Sequence, residues 1–245
     1  MNLALLPLVN GSAATVPISR IADRGGEIEE LLAAGDAPRR RLLRELGGGE
    51  TWEVELGFGK GRYLLRRAAE GPARRFLGIE IVGEYFRLAA RRARRRGLRN
   101  LTLLQGEALY LLCAVLPTGF ASAVHAYFPD PWPKARHHRR RLYDVETVDL
   151  VLGLLRPGGR FFFASDHPEY GPAVAELLES RPELEVSRRD RVWDDGPRTN
   201  YEAKYVAEGR AIVRVEGVLV RPVAQPARSV LSALPSSASR ERDSG

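Results

Sequence analysis

Cysteine and lysine are scarce in this sequence of 245 residues: Cys113 is the single cysteine, and three of the 38 basic residues are lysines. One cysteine allows neither a disulfide within the chain nor a cysteine cluster for zinc. The four histidines show no metal-binding spacing, so we expect no metal site. No apolar run could span a bilayer, and the apolar N-terminus lacks the basic start of a signal peptide. These absences favour a cytoplasmic protein that makes no membrane contact.

Positive charge is abundant, with a formal net charge of +7. Such an excess favours a polyanionic partner such as a nucleic acid. Because nearly all of it is arginine, the base composition of a genome could also produce it without any binding role. The hydrophobic fraction of 44% and the charged fraction of 28% are typical of a globular protein with a sizeable core.

Short apolar strands alternate with helices between residues 50 and 222. Strands are predicted at 51–56, 75–81, 100–105, 122–128 and 160–165, and helices at 62–70, 83–97, 107–117 and 145–159. This alternation predicts an α/β fold with a doubly wound, mostly parallel sheet, to which residues 185–193 and 210–220 could add an antiparallel edge strand. We expect residues 1–49 to be an N-terminal extension and residues 223–245, rich in Ser, Pro and Arg, to be a disordered tail.

A glycine loop follows the first predicted strand in "ELGFGKGR" (55–62). Gly57, Gly59 and Gly61 allow a tight turn and a close approach of a ligand to the backbone. A dinucleotide site would have the spacing G-x-G-x-x-G, whereas this loop has G-x-G-x-G. Glu55, just ahead of the loop, would repel a pyrophosphate but suits the cationic amino-acid end of S-adenosylmethionine.

Two further carboxylates stand at the ends of the next strands. Glu80 ends the second strand, where it could accept hydrogen bonds from both ribose hydroxyls of an adenosine. Glu107 follows the third strand and could reach the adenine amino group, although it could equally be an acid at the start of a helix. Acids at three successive strand ends favour S-adenosylmethionine as the cofactor and S-adenosylhomocysteine as the product.

The stretch "FPDPWPKARHHRRRL" (128–142) follows the fourth strand and holds one acid, Asp130, ahead of four arginines and two histidines. Proline fixes its own φ and pushes the preceding residue toward extended geometry, so we expect Phe128, Asp130 and Trp132 to be extended. A proline-rich connector with Trp132 as a hydrophobic plug would explain the rigidity. It would not explain an acid at the end of the strand.

This stretch resembles the signature of bacterial tRNA (guanine-N7)-methyltransferases, in which a Phe-Pro-Asp-Pro-Trp core precedes Lys, His and Arg residues. "SDHPEY" (165–170) and "TNYEAKYVAEGR" (199–210) resemble two later segments of that family, in the family's order. The resemblance implies a Rossmann-like class I methyltransferase fold. It also implies methyl transfer from S-adenosylmethionine to N7 of a tRNA guanosine, in the variable loop, which gives 7-methylguanosine.

The resemblance also implies roles for individual residues. Contacts with S-adenosylmethionine fall on the glycine loop and on four acids: Glu55, Glu80, Glu107 and Asp130. Contacts with guanine or tRNA fall on Lys134, Asp166, Thr199, Asn200, Tyr201 and Glu202. Three positions depart from the family's usual residues, since Asn200 replaces a lysine, Glu107 replaces an aspartate and Ser165 replaces a threonine.

The expected chemistry needs no nucleophile from the protein, because guanine N7 carries an in-plane lone pair and no proton. The enzyme would position N7 in line with the methyl group, and Asp130 would be catalytic by stabilising the purine as it becomes cationic. The basic run from Lys134 onward would hold tRNA phosphates. The predicted helical face of Arg87, Arg91 and Arg95 could contact tRNA or simply be solvated.

Other functions stay open at this level. A class I methyltransferase acting on another RNA or a small molecule would share the glycine loop, and a non-catalytic RNA-binding module would share the charge. A dehydrogenase fits less well because of the glycine spacing and Glu55. The sequence does not tell which tRNAs or which nucleotide would be modified, or whether the protein is a monomer or a homodimer.

Overall fold

The computed structural model describes Leu46 and residues 52–106, 108, 111–112, 116–129 and 145–223. The strands are β1 (Trp52–Leu56), β2 (Arg75–Glu80), β3 (Leu101–Gln105), β4 (Ala121–Tyr127), β5 (Leu155–Ser165), β6 (Leu184–Arg188) and β7 (Val213–Leu219). The helices with bounds in the described residues are α1 (Arg62–Glu70), α2 (Gly83–Arg95), α3 (Val145–Leu154), α4 (Tyr170–Glu179) and α5 (Asn200–Ala207). Among these helices, none has the length and apolar character that a membrane span requires.

The seven strands form one sheet in the order β3-β2-β1-β4-β5-β7-β6. Strands β1 to β5 pair in parallel, whereas β7 pairs antiparallel with both β5 and β6. The predicted α/β fold with a mostly parallel sheet and an antiparallel edge is confirmed. The strand order reverses between β1 and β4, and ligands of such sheets bind in the crevice outside the carboxyl ends of the strands at that point.

Strands β1 to β4 are almost entirely buried, because apolar layers cover both faces of the sheet. On one face, Phe86 and Ala89 of α2 belong to the same core cluster as Leu65 of α1. Gly78 of β2 allows this layer to lie close to the sheet, since a Cβ at that position would come within 2.3 Å of the Leu64 Cδ2 atom. The positions of α1 and of the glycine loop therefore depend on position 78 being a glycine, which has no side chain.

Three element boundaries differ from the sequence-based expectation. The helix predicted at 145–159 was wrong in its last five residues: α3 ends at Leu154, and β5 begins at Leu155 rather than at residue 160, because Leu155 pairs with Ala121 of β4. Arg156, Pro157 and Gly158 form an exposed irregularity at the start of β5. Strand β6 ends at Arg188, because the chain beyond it leaves the sheet and buries Trp193 against the Tyr127 and Phe162 rings. The predicted helix 107–117 lies mostly outside the described residues.

The helices α4 and α5 were not predicted. The Gly-Pro pair at 171–172 resembles a helix breaker, but it lies in the first turn of α4, where proline is compatible with helical geometry. Helix α5 is only eight residues long, and Glu202 is its single buried residue, so it has no apolar stripe that a periodicity could reveal.

Candidate functional site

The glycine loop joins β1 to α1 at the switch point of the sheet. Gly57, Gly59 and Gly61 have φ values of 70°, 53° and 73°, a region that glycine adopts without strain. The Gly57 N–H donates to the Ile79 carbonyl at 2.8 Å, which fixes the loop against the end of β2. A Cβ at Gly57 or Gly59 would meet nothing within 4 Å, so the loop leaves open space beside its backbone.

Glu55 lies next to this loop with only 2% of its surface exposed. Its carboxyl accepts a hydrogen bond from the backbone N–H of Leu64 in the first turn of α1. Its Oε2 atom is buried and has no hydrogen-bond partner in the described part of the chain. The pKa of Glu55 is raised to about 8: burial is the main cause and the Glu80 carboxylate adds to it, while the Leu64 N–H and Arg198 oppose the increase. A buried carboxyl with a spare oxygen is suited to a cationic ligand group.

Glu80 is fixed at the end of β2 by two backbone donors. Its Oε2 atom accepts from Gly59 N–H at 2.7 Å, and its Oε1 atom accepts from Val82 N–H at 2.9 Å. A carboxylate oxygen can accept more than one hydrogen bond, so these backbone donors do not exclude ligand hydroxyls. The structure thus brings together the glycine loop, Glu55 and Glu80, as the sequence predicts.

The end of β4 is strained at Phe128, whose φ is 52°. The expectation that Phe128 is extended was wrong. Its N–H donates to the Ala164 carbonyl at 2.7 Å, and its ring lies 5.6 Å from the Tyr205 ring and 6.5 Å from the Tyr201 ring of α5. These tertiary contacts override the preference that Pro129 imposes on the residue before it. Asp130, Lys134 and Glu107 lie outside the described residues.

The segment Thr199–Glu202 forms the start of α5. Thr199 caps the helix, since its Oγ1 atom accepts from the Glu202 N–H at 2.9 Å. Glu202 is fully buried: its Oε1 atom accepts from Arg214 Nε at 2.6 Å and its Oε2 atom from Arg198 N–H at 2.8 Å. Asn200 and Tyr201 are exposed instead, and the Asn200 Oδ1 atom accepts from Arg62 Nη1 at 3.4 Å. The predicted substrate roles of these four residues stay predictions.

Asp166 follows β5 and is connected with α5 through Arg210. The Arg210 Nη1 atom lies 3.3 Å from the Asp166 Oδ2 atom, and its guanidinium lies 4.3 Å from the centre of the Tyr205 ring. Tyr205 in turn contacts Phe128. The ends of β4 and β5 and the start of α5 are therefore joined by one set of contacts, and the Arg62–Asn200 hydrogen bond extends it to α1.

Sequence reasoning missed Arg198, which lies in a cage of aromatic rings just before α5. Its guanidinium is 4.3 to 5.7 Å from the ring centres of Trp193, Phe162, Tyr63 and Tyr127. It also donates to the Tyr127 hydroxyl at 2.5 Å and to Asp195 Oδ1 at 3.0 Å. The rings come from four separate parts of the chain, so no local pattern in the sequence indicates the cage.

His125 of β4 is buried beneath the cage. Its Nδ1 atom lies 2.9 Å from the Tyr127 hydroxyl and its Nε2 atom 3.5 Å from Glu53 Oε2. Burial lowers the pKa of His125 to about 4, so it is neutral at physiological pH. Burial alone would raise the pKa of Glu53, but hydrogen bonds from His125 and Arg74 and the charge of Arg67 hold it at about 2.

The ionised Glu53 carboxylate can only accept hydrogen bonds, so His125 Nε2 is the donor to it, and the Tyr127 hydroxyl donates to His125 Nδ1. His125 therefore carries its proton on Nε2 and connects the cage to Glu53. Within the residues that the structure describes, no three His, Cys, Asp or Glu side chains converge as a possible metal site.

Comparisons with known proteins bear on this site. A family model described as "Putative methyltransferase" matches residues 50–215. The tRNA (guanine-N(7)-)-methyltransferase of Nitrosococcus oceani is 35% identical over 159 residues, which cover 65% of this chain and 67% of the relative. The protein of the same name from Geobacter metallireducens is 33% identical over 170 residues, which cover 68% of this chain and 81% of the relative.

Solved methyltransferase structures share the fold. A variant of the 16S rRNA (adenine(1408)-N(1))-methyltransferase from Catenulisporales acidiphilia, solved with its cosubstrate SAM, has a TM-score of 0.54 at 16% identity over 91% of this chain and 100% of that chain. The aminoglycoside resistance methyltransferase NpmB1 has a TM-score of 0.51 at 16% identity over 88% of this chain and 100% of that chain. These structures support the fold alone. The match to the family model and the identity with these relatives show that the chain belongs to the family of tRNA (guanine-N(7)-)-methyltransferases.

Proposed function

We propose that this protein transfers the methyl group of S-adenosylmethionine to N7 of a tRNA guanosine, in the variable loop, and releases S-adenosylhomocysteine. The observation that carries the proposal is the unpartnered, buried oxygen of Glu55 beside the open glycine loop. An ammonium group would favour the ionised carboxylate and supply the missing partner, whereas a dinucleotide pyrophosphate would disfavour its ionisation and provide no charge partner. The relatives' shared name supports the choice of acceptor, which in turn favours the cytoplasm as the location.

The residues of the chain fit the proposed cofactor. Glu55 would bind the ammonium group, Glu80 the ribose hydroxyls and Glu107 the adenine amino group, while the backbone of Gly57, Gly59 and Gly61 would allow close approach. S-adenosylmethionine, when bound, supplies a methyl group on a positively charged sulfur. Asp130 would also contact it, because two residues after Phe128 the chain has just left the end of β4.

The acceptor guanine would be held by the elements joined around Phe128. The contacts of Phe128 with Tyr201 and Tyr205 bring the start of α5 to the end of β4, and Arg210 brings Asp166 to the same place. We assign guanine or tRNA binding to Lys134, Asp166, Thr199, Asn200, Tyr201 and Glu202. Glu202 would act mainly by fixing the segment, since both of its oxygens already accept hydrogen bonds from the protein.

Catalysis would rest on positioning and electrostatics. N7 needs no base because its lone pair is free, so the protein has to align N7 with the methyl group and exclude competing geometries. The purine gains positive charge during transfer, and a fixed carboxylate at Asp130 would stabilise that charge more in the transition state than in the ground state.

The test uses an unmodified tRNA transcript and S-adenosylmethionine with a tritiated methyl group. We expect 7-methylguanosine in the nuclease digest. A matched transcript made with 7-deazaguanosine has a carbon in place of N7 and should accept no methyl group. Methylation of the deaza transcript, or of a small molecule and no RNA, would contradict the proposal.

An Asp130→Asn variant separates chemistry from binding. Loss of the charge should reduce turnover by about 10²-fold or more, while the variant keeps the thermal unfolding midpoint of the parent protein. If a folded variant modified tRNA at the rate of the parent, Asp130 would have no catalytic role.

A further inference from the structure

A groove of about 630 Å³ is lined by residues of α1, α2 and the start of α5. Gly61 of the glycine loop and Asn200 of α5 line it, so it adjoins the candidate site. Four arginines, two from each of the neighbouring helical segments, supply its charge: Arg62, Arg66, Arg92 and Arg96. Among the described residues that line the groove, Glu70 is the single carboxylate, and it lies 3.9 Å from Arg67.

Folding leaves most of this charge uncompensated. Arg66 pairs with Asp195 at 2.6 Å, but Arg62 donates to the Asn200 amide oxygen and Arg92 to the Lys60 carbonyl at 2.9 Å. In the part of the chain that the structure describes, none of Arg62, Arg92 and Arg96 pairs with a carboxylate. Each guanidinium has five N–H donors, so these side chains keep free donors for an anion.

The arrangement of the arginines indicates an extended anion. Arg62 and Arg66 are one helical turn apart on α1, and Arg96, which follows the last residue of α2, is one turn beyond Arg92. Like charges at this spacing repel each other, and the repulsion is relieved when several phosphates bind along the row. A small anion would instead require donors that converge on one point, whereas the lining of this groove follows α1 from Gly61 at its start to Glu70 at its end.

We propose that this groove binds the sugar–phosphate backbone of the tRNA beside the target guanosine. The inference rests on the proposed function, because the groove adjoins the glycine loop and Asn200. Phosphate contacts supply affinity without sequence selection and fix the register of the RNA on the protein. Arg87, Arg91 and Arg95 do not line the groove, so the groove is a different surface from the helical face considered in the sequence.

The test compares two double variants that each remove two positive charges. Arg62→Gln with Arg96→Gln removes charge from the groove, whereas Arg94→Gln with Arg99→Gln removes it from exposed positions outside the groove. The affinity for a tRNA transcript is measured by filter binding at several salt concentrations. We expect the groove variant to bind about tenfold more weakly and its salt slope to fall by about 2, while the control changes affinity by less than about threefold.

Binding of S-adenosylhomocysteine, measured by calorimetry, should be the same in both variants, which shows that the site is intact. Equal weakening of tRNA binding in both variants, or no weakening in the groove variant, would overturn the inference. An Arg96→Glu single variant, at an exposed helix end, provides the same comparison if the double variant unfolds. The parent protein's formation of 7-methylguanosine is assayed separately, so a failure of the proposed function is distinguished from a failure of the groove.

Discussion

At the scale of single residues, Glu55 combines a binding role with a penalty in folding stability. Its pKa is about 8 in the folded protein, against 4.5 for an ordinary glutamate. Between these values the unfolded chain releases the proton while the folded protein retains it. Since the unfolded state then binds fewer protons, the contribution of Glu55 to stability decreases as the pH rises from 4.5 to 8.

Replacing Glu55 by Gln should remove this pH dependence. The amide can keep the hydrogen bond from Leu64 N–H and never ionises. We expect the ligand-free variant to be more stable than the parent by at least about 2 kcal/mol at pH 8, with the difference shrinking toward pH 5 by up to about 1.4 kcal/mol per pH unit. Urea unfolding of both proteins at pH 5, 6, 7 and 8 measures the difference.

Comparing the Glu55→Gln variant with the parent protein separates the effect of Glu55 on stability from the effects of other titrating groups. His125, with its pKa lowered to about 4 by burial, adds stability as the pH rises from 4 to 6.5, but it does so in both proteins. Parallel stability profiles of the parent and the Gln variant would show that Glu55 keeps an ordinary pKa.

The site residues differ in how far the sequence could predict them. Glu55 and Glu80 could be predicted because each is an acid next to the end of an apolar strand, and parallel strands bring those ends to one edge. Arg198 and His125 could not be predicted, because their environment consists of contacts between residues far apart in the chain. The strained φ of Phe128 was also unpredictable, since local rules favour the opposite conformation.

At the scale of elements, Gly78 couples β2 to the glycine loop. A Cβ at this position would lie 2.3 Å from Leu64 Cδ2 in α1 and 2.6 Å from Phe58 Cδ1 in the loop. Both neighbours are buried in the same packed core, so they have little room to move. A side chain on β2 would displace the start of α1 together with the loop.

Gly78→Ala should therefore lower the free energy of unfolding by about 1–3 kcal/mol and weaken the binding of S-adenosylhomocysteine. Gly217→Ala on β7 is the matched control, because its Cβ would lie 3.4 Å from Leu184 Cδ2, an ordinary contact. Urea unfolding and calorimetry measure the two effects. Equal stability of the two variants would mean that α1 can move away from β2 without penalty.

The accuracy of the predicted elements follows the strength of their periodicity. The apolar strands β1 to β4 and the amphipathic helices α1 and α2 were found near their observed bounds, because their patterns are strong and local. Helices α4 and α5 were missed, since a Gly-Pro pair obscures the first, and the second is short and has no buried apolar face. The early start of β5 depends on pairing of Leu155 with Ala121 across a register shift, which is a tertiary effect.

At the scale of the whole molecule, the strand order decides which residues meet. Strands β2, β1 and β4 are neighbours, so Glu80, Glu55 and the chain that leads to Asp130 lie at consecutive strand ends. The chain then crosses to β6 at the far edge of the sheet and returns through Arg198 to the aromatic rings near β1 and β4. The sequence predicts that the acids meet at one edge, because alternating strands and helices imply a parallel sheet. It does not predict that the chain after β6 returns to the aromatic rings, because that path depends on tertiary contacts.

Ligand binding should stabilise the folded protein as a unit, because Glu55 and Glu80, which would hold the ligand, belong to neighbouring strands of one sheet. S-adenosylhomocysteine at 100 times its Kd should add about 2.7 kcal/mol of stability. For a chain of this length that corresponds to an increase of roughly 5–10 °C in the unfolding midpoint. Since Glu55 has to ionise to bind the ammonium group, the binding should release a proton below pH 8.

The affinity for S-adenosylhomocysteine should therefore increase from pH 6 to pH 8, by at most about tenfold per pH unit. Methylthioadenosine, which lacks the amino-acid group, should bind with an affinity that does not depend on pH in this range, and the Glu55→Gln variant should lose the pH dependence of S-adenosylhomocysteine binding. Calorimetry in buffers of different ionisation enthalpy counts the released protons directly. If the two ligands showed the same pH dependence in the parent protein, the ammonium group would bind elsewhere and the buried oxygen of Glu55 would need another partner.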